Sequence, residues 1–197
     1  HEMGLKTMVG IELGSDRAKN EIEFEAGVAV ARDGHADILA VGNEVLLRGD
    51  LNADEVAGYV ERARELAPGA TIGYVDAYFL FEMHPRIVDA CDVILINCYP
   101  FWERCPLEYS LPYAQEMVRR ARAVAKGKKI VISETGWPSA GSPYGGAIPG
   151  EDNALAYFVQ TYEWADRDGL EVFYFSSFDE AWKTGNEGDV GSSWGLW

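Results

Sequence analysis

Cysteine and histidine are scarce in this chain of 197 residues, which contains three of each. The cysteines form no CxxC motif and the histidines are scattered, so neither a disulfide framework nor a zinc site is expected. Cys91 and Cys98 are predicted to be small buried hydrophobic residues. Cys105 lies in a predicted loop, where it could be a reactive thiol.

Basic residues are also few, with 17 Lys and Arg against 32 Asp and Glu and a formal net charge of −15. Such a surface disfavours nucleic acid as a partner, because phosphates require basic residues, but it is compatible with an uncharged polymer. No apolar run approaches the roughly 18 residues of a membrane span, so no membrane partner is expected. No glycine-rich phosphate loop follows any predicted strand, which argues against a nucleotide-binding α/β protein.

No secretory signal and no N-x-[ST] sequon is present, and the chain begins with His1 rather than Met. The N-terminus therefore predicts no location, although a secreted or periplasmic one is compatible with these features.

Strand-like runs alternate with helical patterns along the chain, which predicts a parallel α/β sheet. Ser15 or Asp16 is expected to cap the first helix, and Asn52 with Glu55 resembles a capping box. Pro112 is expected to begin a later helix and Asp152 to cap another, and a short helix follows Pro85. The predicted strands span residues 5–11, 37–43, 71–76, 92–97, 129–134 and 172–178.

Two of these strands end in a carboxylate. The apolar run at 130–132 leads into Glu134, and the run at 38–41 leads into Asn43 and Glu44. In a parallel barrel the carboxyl ends of all strands lie on one face, so the two glutamates are expected to meet there. Paired carboxylates around a sugar ring are what glycoside hydrolysis requires. Asn43 is expected either to donate to a sugar hydroxyl or to fix a loop.

Four motifs carry a resemblance to a known family: VGNEV at 41–45, NCYPFWE at 97–103, ETGWPS at 134–139 and FDEAWKTG at 178–185. In this order they resemble glycoside hydrolase family 17, the β-1,3-glucanase family of a retaining clan with (β/α)8 barrels. The resemblance runs through the whole chain but lacks the family's first two βα units. It implies an incomplete TIM-type barrel with six of eight parallel strands, in one catalytic-type domain over residues 1–197.

The missing units have a physical consequence. Without them two sheet edges and part of the barrel interior are uncovered, which predicts self-association or marginal stability.

The resemblance implies a retaining glycoside hydrolase that acts on β-1,3-glucan such as laminarin. Glu44 and Glu134 fall on the fourth and seventh strands of the family, as general acid/base and nucleophile respectively, with no metal or organic cofactor. The retaining mechanism sets the two carboxyl groups ~5–5.5 Å apart. Two alternatives stay open. One is a β-1,3-glucanosyltransferase, in which a sugar hydroxyl replaces water, and the other is a non-catalytic glucan-binding scaffold.

Further residues at the strand ends are candidates for substrate binding. By resemblance, Tyr99 would hydrogen-bond near the scissile sugar and Trp102 would stack on a glucose, although both could be core aromatics. Trp137 and Trp182 would line the floor of the cleft. Phe175 and Phe178 are expected in the core. The full candidate set is Asn43, Asp76, Tyr99, Trp102, Trp137, Glu180, Trp182, Lys183 and Glu187, where Asp76 could instead fix a loop and Glu180–Lys183 could be a surface ion pair.

Overall fold

The sheet contains six strands that lie side by side in the order of the sequence. They belong to a computed structural model that describes residues 4–183, 185 and 187–197. Pairing is parallel between β1 and β2, β2 and β3, and β5 and β6, which confirms the predicted α/β class. The strands are β1 Met8–Ile11, β2 Ile38–Asn43, β3 Thr71–Ala77, β4 Val93–Asn97, β5 Lys129–Thr135 and β6 Glu171–Tyr174.

Seven helices accompany these strands in the described part of the chain. Asp16 caps α1, and Asn52 and Glu55 form the predicted capping box of α3. None of the seven is long and apolar enough to span a bilayer. The helices are α1 Arg17–Arg32, α2 Val45–Arg48, α3 Ala53–Leu66, α4 Tyr78–Met83, α5 Pro85–Ala90, α6 Leu107–Val124 and α7 Glu151–Asp168.

Two predicted helix starts are wrong. Helix α6 begins at Leu107 and includes Pro112. The proline lies in the second turn, where its missing N–H removes one main-chain hydrogen bond of the helix. Helix α7 begins at Glu151 with Gly150 as its N-cap, so Asp152 lies inside the first turn rather than at the cap. Its carboxylate there suits the positive end of the helix dipole.

The described chain divides into two compact units. The first contains residues 4–96 and 120–130, and the second contains residues 97–119 and 131–197. A single catalytic domain over residues 1–197 stays a prediction. In the first unit, α1 lies against β1 because Gly27 has no side chain. A Cβ at that position would lie 2.4 Å from Ile11 Cγ1.

The core of the second unit is aromatic and includes Phe101, Trp137, Tyr157 and Trp194, all buried. Strand β6 ends at Tyr174, earlier than predicted. The main chain beyond it pairs with the C-terminal segment, where Ser176 N donates to Trp194 O at 3.0 Å.

Beyond the end of β6, two phenylalanines that are both predicted to lie in the core differ in burial. Phe175 packs against the aromatic core. Phe178 is 70% exposed, so its predicted core position is wrong.

The three cysteines are all buried and none forms a disulfide. This confirms the prediction for Cys91 and Cys98. The expectation of a reactive Cys105 is wrong, because burial also raises the pKa of its thiol and disfavours the nucleophilic thiolate.

A charged cluster joins α1 to α3 in the first unit. Arg62 donates to both carboxylate oxygens of Glu21, at 3.0 and 2.8 Å, and Tyr59 Oη donates at 2.8 Å. The Arg62 guanidinium also lies 4.4 Å from the centre of the Phe24 ring. The bonds from Arg62 and then Tyr59 lower the pKa of Glu21 to about 2.

The substitution Glu21→Gln tests this cluster through the pH dependence of stability. Because the folded-state pKa of Glu21 is depressed, its stabilisation is present above the ordinary pKa of 4.5 and is lost as the pH falls towards 2. The side chains of Glu21 and Arg62 are both nearly half exposed. Solvent screening therefore limits the loss of unfolding free energy at neutral pH to about 0.5 kcal/mol. Urea unfolding near neutral pH and at about pH 2 measures this difference.

Glu65→Gln, at an exposed carboxylate on α3, is the matched control. The account of the cluster is contradicted if Glu21→Gln does not lower the free energy of unfolding at neutral pH, or if it lowers it equally at low pH.

Candidate active site

Glu44 directly follows β2 in the first unit. Its φ of 53° and ψ of 30° lie in the left-handed region, which costs a non-glycine residue about 1–3 kcal/mol. Its N–H donates to Val75 O at 2.9 Å. The side chain is half-buried, so this bent main chain places a partly accessible carboxylate at the carboxyl end of the strand.

Two residues of β3, Tyr74 and Asp76, support the turn that contains Glu44. Tyr74 Oη donates to the carboxylate of Asp76 and accepts from Leu46 N at 2.9 Å. Asp76 is 0% exposed and also accepts from Ala77 N at 2.8 Å. Burial raises the pKa of Asp76, and the negative charge of Glu44 raises it further. These contacts are those of a loop-fixing residue, and a direct contact between Asp76 and sugar stays a prediction.

Asn43, the last residue of β2, is exposed and borders a cavity of about 620 Å³ at the carboxyl ends of β1 and β2. Arg48 lies in the wall, where its guanidinium donates to Asn43 O at 2.6 Å and to Leu13 O at 3.1 Å. The volume is within the range of small-molecule sites. The other polar side chains of the lining are Glu12, Ser15, Asp16, Lys19, Asn20 and Asp50.

Glu134 lies near the end of β5 in the second unit and is half-buried. Tyr99 Oη donates to Glu134 Oε2 at 2.9 Å. The main chain is fixed as well, because Cys98 N donates to Glu134 O at 2.8 Å. The two flanking residues point into the core, where Ser133 Oγ donates to Asn97 Oδ1 at 2.8 Å and Thr135 bonds Tyr157 at 2.7 Å. Strand alternation therefore directs Glu134 away from the core.

Tyr99 packs against the aromatic core of the second unit. The Tyr99 and Trp194 ring centres lie 5.3 Å apart, and Trp102 lies 5.6 Å from Trp194. Trp137 is fully buried and its Nε1 donates to Ile148 O at 2.9 Å. Tyr99 and Trp102 are only partly buried, so both present surface beside the Glu134 strand.

Sequence reasoning missed Trp194, which is 2% exposed and packs on the aromatic residues of the site. The segment around it has no strand or helix periodicity, so periodicity gave no signal for a core residue there. A large aromatic residue among glycines and serines was the available signal, because such a ring usually packs on a core.

Lys183 and Glu180 form an ion pair, with Lys183 Nζ 2.7 Å from Glu180 Oε2. The same ammonium lies 4.0 Å from the centre of the Phe175 ring. Trp182 is 74% exposed and Glu187 is half-buried. Thr184, within the last motif, lies outside the described residues.

The candidate residues thus form one group in each unit. Asn43, Glu44 and Asp76 belong to the first unit. Glu134, with Tyr99 in hydrogen-bond contact, belongs to the second, and the separation of the two glutamates stays a prediction. The remaining candidates are in the second unit: Trp102, Trp137, Glu180, Trp182, Lys183 and Glu187. Among the described residues, no group of three or more His, Cys, Asp or Glu side chains is arranged to hold a metal ion.

Solved structures with the same fold include a glycoside hydrolase family 17 β-1,3-glucanosyltransferase from Rhizomucor miehei. It is 27% identical with a TM-score of 0.88, over 99% of this chain and 73% of that one. An endo-laminarinase from Formosa, 21% identical with a TM-score of 0.80 over 98% of this chain and 66% of that one, shares the fold. The incomplete family 17 barrel predicted from the motifs is therefore confirmed.

Curated relatives agree with this assignment. Glucan 1,3-beta-glucosidase BGL2 of Candida albicans is 29% identical over 81% of this chain, which spans 59% of that protein. The probable family 17 glucosidase SCW10 of Saccharomyces cerevisiae is 27% identical over 80% of this chain and 41% of its own length. The chain thus spans about three fifths or less of the length of these relatives.

The family model of the BtgE/BtgC glycoside hydrolase domain matches residues 1–195, nearly the whole chain. This match includes both glutamates and all four motifs from which the resemblance was inferred. The chain belongs to the BtgE/BtgC glycoside hydrolase domain family.

Proposed function

We propose that this chain cleaves β-1,3-glucan with retention of configuration, using Glu134 as nucleophile and Glu44 as general acid/base. The observation that carries the proposal is the 2.9 Å hydrogen bond from Tyr99 Oη to Glu134 Oε2 at the carboxyl end of a barrel strand. The supported turn that presents Glu44 adds to it. Family membership supports the pairing of the two glutamates. A related family 17 glucanosyltransferase structure, 25% identical to this chain, contains laminaritriose.

The chemistry proceeds in two displacements. In the first, Glu134 attacks the anomeric carbon, the bond to the leaving oxygen breaks, and Glu44 gives its proton to that oxygen. In the second, Glu44 takes a proton from water, and the water oxygen replaces Glu134 at the same carbon. The hydrogen bond from Tyr99 Oη to Glu134 Oε2 orients the nucleophile for this attack.

Glucanosyl transfer is the second candidate function, because the Rhizomucor miehei relative is a β-1,3-glucanosyltransferase. The first displacement is the same. In the second, a sugar hydroxyl takes the place of water: it gives its proton to Glu44, and its oxygen replaces Glu134 at the anomeric carbon. Incubation with laminarihexaose distinguishes the two: products longer than the substrate indicate transfer, and only shorter products indicate hydrolysis. Binding to insoluble β-1,3-glucan without any turnover would instead favour a scaffold.

Glu134→Ala is expected to abolish turnover of laminarin while glucan binding persists, because only the nucleophile is removed. Glu44→Ala is expected to slow substrates with poor leaving groups far more than activated aryl glycosides, since only the former need a proton. Steady-state kinetics on the two substrate classes measure the difference. Equal losses on both classes for Glu44→Ala would show that Glu44 is not the acid.

Tyr99→Phe removes the hydroxyl that bonds Glu134 and keeps the ring that packs on Trp194. Loss of a hydrogen bond to a charged group is expected to lower kcat by about 10- to 100-fold. Tyr109→Phe, at an exposed tyrosine on α6, is the matched control. Wild-type kcat in Tyr99→Phe would mean that the bond does not position the nucleophile.

We also propose self-association through the sheet edges. Strands β1 and β6 are the outermost strands of the described sheet, and such edges invite pairing with another chain. Exposed apolar side chains on the helices beside these strands support the proposal: Ile22 and Val30 on α1, and Leu155 and Val159 on α7.

Sedimentation velocity over a range of protein concentrations tests this association. The expected result is a sedimentation coefficient that rises with concentration. A single monomeric species throughout the range would refute the proposal.

A further inference from the structure

Arg48 is the last residue of helix α2, and its guanidinium reaches back to the turn that contains Glu44. Nη1 of Arg48 donates to Asn43 O at 2.6 Å, and the main-chain N–H of Arg48 donates to Glu44 O at 2.9 Å. These two carbonyls belong to the peptide groups on either side of the Glu44 Cα atom, whose orientations define the φ and ψ angles of Glu44. One residue thus holds both peptide groups that determine where the Glu44 carboxylate lies.

The main chain at Glu44 requires such support. Its φ of 53° and ψ of 30° lie in the left-handed region, which is unfavourable for a residue that carries a side chain. Glu44 N donates to Val75 O at 2.9 Å and fixes the preceding peptide group from the β3 side. Arg48 bonds the same peptide group through Asn43 O. If either bond were lost, rotation towards a more favourable conformation would move the carboxylate.

Arg48 is itself anchored to an ordered loop that follows β1. Its Nη2 donates to Leu13 O at 3.1 Å, and its Nε donates to Asp50 Oδ2 at 2.7 Å. The next residue, Gly14, is bonded on both sides by Asn20, which accepts from Gly14 N and donates to Gly14 O, each at 2.8 Å. Asn20 is 1% exposed, so it fixes this loop from the interior. Arg48 therefore connects a rigid loop to the Glu44 turn, all within the first unit.

The contacts of Arg48 are those of a positioning group and not of a proton donor. A guanidinium is not deprotonated in proteins, so it exchanges no proton with the substrate. Its planar fork bonds two carbonyls at once, a geometry that a lysine ammonium does not reproduce. The side chain is 46% exposed, so a substitution there leaves the core of the first unit intact.

We propose that Arg48 is a positioning residue for Glu44 and that proton transfer by Glu44 depends on it. This inference rests on the proposed function, in which Glu44 is the general acid/base. A general acid must lie within hydrogen-bond reach of the leaving oxygen, and a misplacement of about 1 Å can cost about 100-fold in rate. Loss of Arg48 is therefore expected to impair those steps that need a proton and to spare those that do not.

The test compares kcat/KM for two substrates in the variant Arg48→Met, which keeps the length of the side chain and removes its donors. Laminarihexaose has a poor leaving group that must be protonated, whereas dinitrophenyl laminaribioside releases a phenolate that needs no proton. For laminarihexaose the expected loss is about 10- to 100-fold, the effect of one charge-assisted hydrogen bond. For the dinitrophenyl glycoside it is less than about threefold. A merely structural role would lower both values equally.

Two further variants at this position sharpen the test. Arg48→Lys keeps the charge but not the fork, so an intermediate loss on laminarihexaose is expected. Arg48→Ala leaves space for a free guanidinium ion, so millimolar guanidinium chloride is expected to restore part of its rate on laminarihexaose. Sodium chloride at the same ionic strength is expected to restore none.

Arg86→Met is the matched control, because Arg86 is 54% exposed and pairs with Asp54 and Glu61 of α3. It is expected to keep wild-type kcat/KM on both substrates. Thermal unfolding of every variant identifies folding defects, and Arg48→Lys provides the test if Arg48→Met is poorly folded.

The outcomes separate this inference from the proposed function. If Glu44→Ala selectively loses laminarihexaose cleavage but folded Arg48→Met shows wild-type rates or equal losses on both substrates, the role of Arg48 is overturned alone. Absence of guanidinium rescue together with equal losses in Arg48→Lys overturns it as well. Failure of the wild type to cleave either substrate, or equal losses on both in Glu44→Ala, overturns the proposed function and this inference with it.

Discussion

Main-chain pairing between buried strands is the constraint on which the candidate site depends. Strands such as β4 are buried along their whole length, so their peptide groups must bond one another rather than water. Polar side chains that must reach solvent or substrate therefore lie where a strand ends. Glu44 follows β2, and Glu134 occupies the half-buried position near the end of β5. The positions of both carboxylates are thus consequences of the same burial.

Each glutamate is supported by neighbouring side chains, which include the fully buried Tyr74 and Asp76 in the first unit and the partly buried Tyr99 in the second. In the first unit, Tyr74 and Asp76 bond the turn that follows β2, so that Glu44 keeps a left-handed main chain. In the second unit, Tyr99 bonds Glu134 directly and is backed by Trp194. A residue that only supports another can be as buried as Asp76, whereas a reacting carboxylate must be partly exposed.

The sequence predicted the strands well because runs of β-branched residues are a local signal. The same runs predicted that Glu44 and Glu134 lie at the ends of strands, as they do, while the catalytic roles of the two glutamates stay predictions. Residues whose role depends on distant contacts were missed. Trp194, for example, packs on Tyr99, far away in sequence. Burial of Cys105 also depends on such contacts, so a loop position in the sequence did not make it accessible.

Covalent trapping tests the central claim most directly. A 2-deoxy-2-fluoro laminaribioside with a good leaving group slows the second displacement, so a retaining enzyme accumulates its glycosyl-enzyme. Mass spectrometry of the intact chain and its peptides is predicted to find one added glycosyl group on Glu134, and none in the Glu134→Gln variant. Turnover of β-1,3-glucan without any labelled peptide, or a label on another residue, would contradict the assignment.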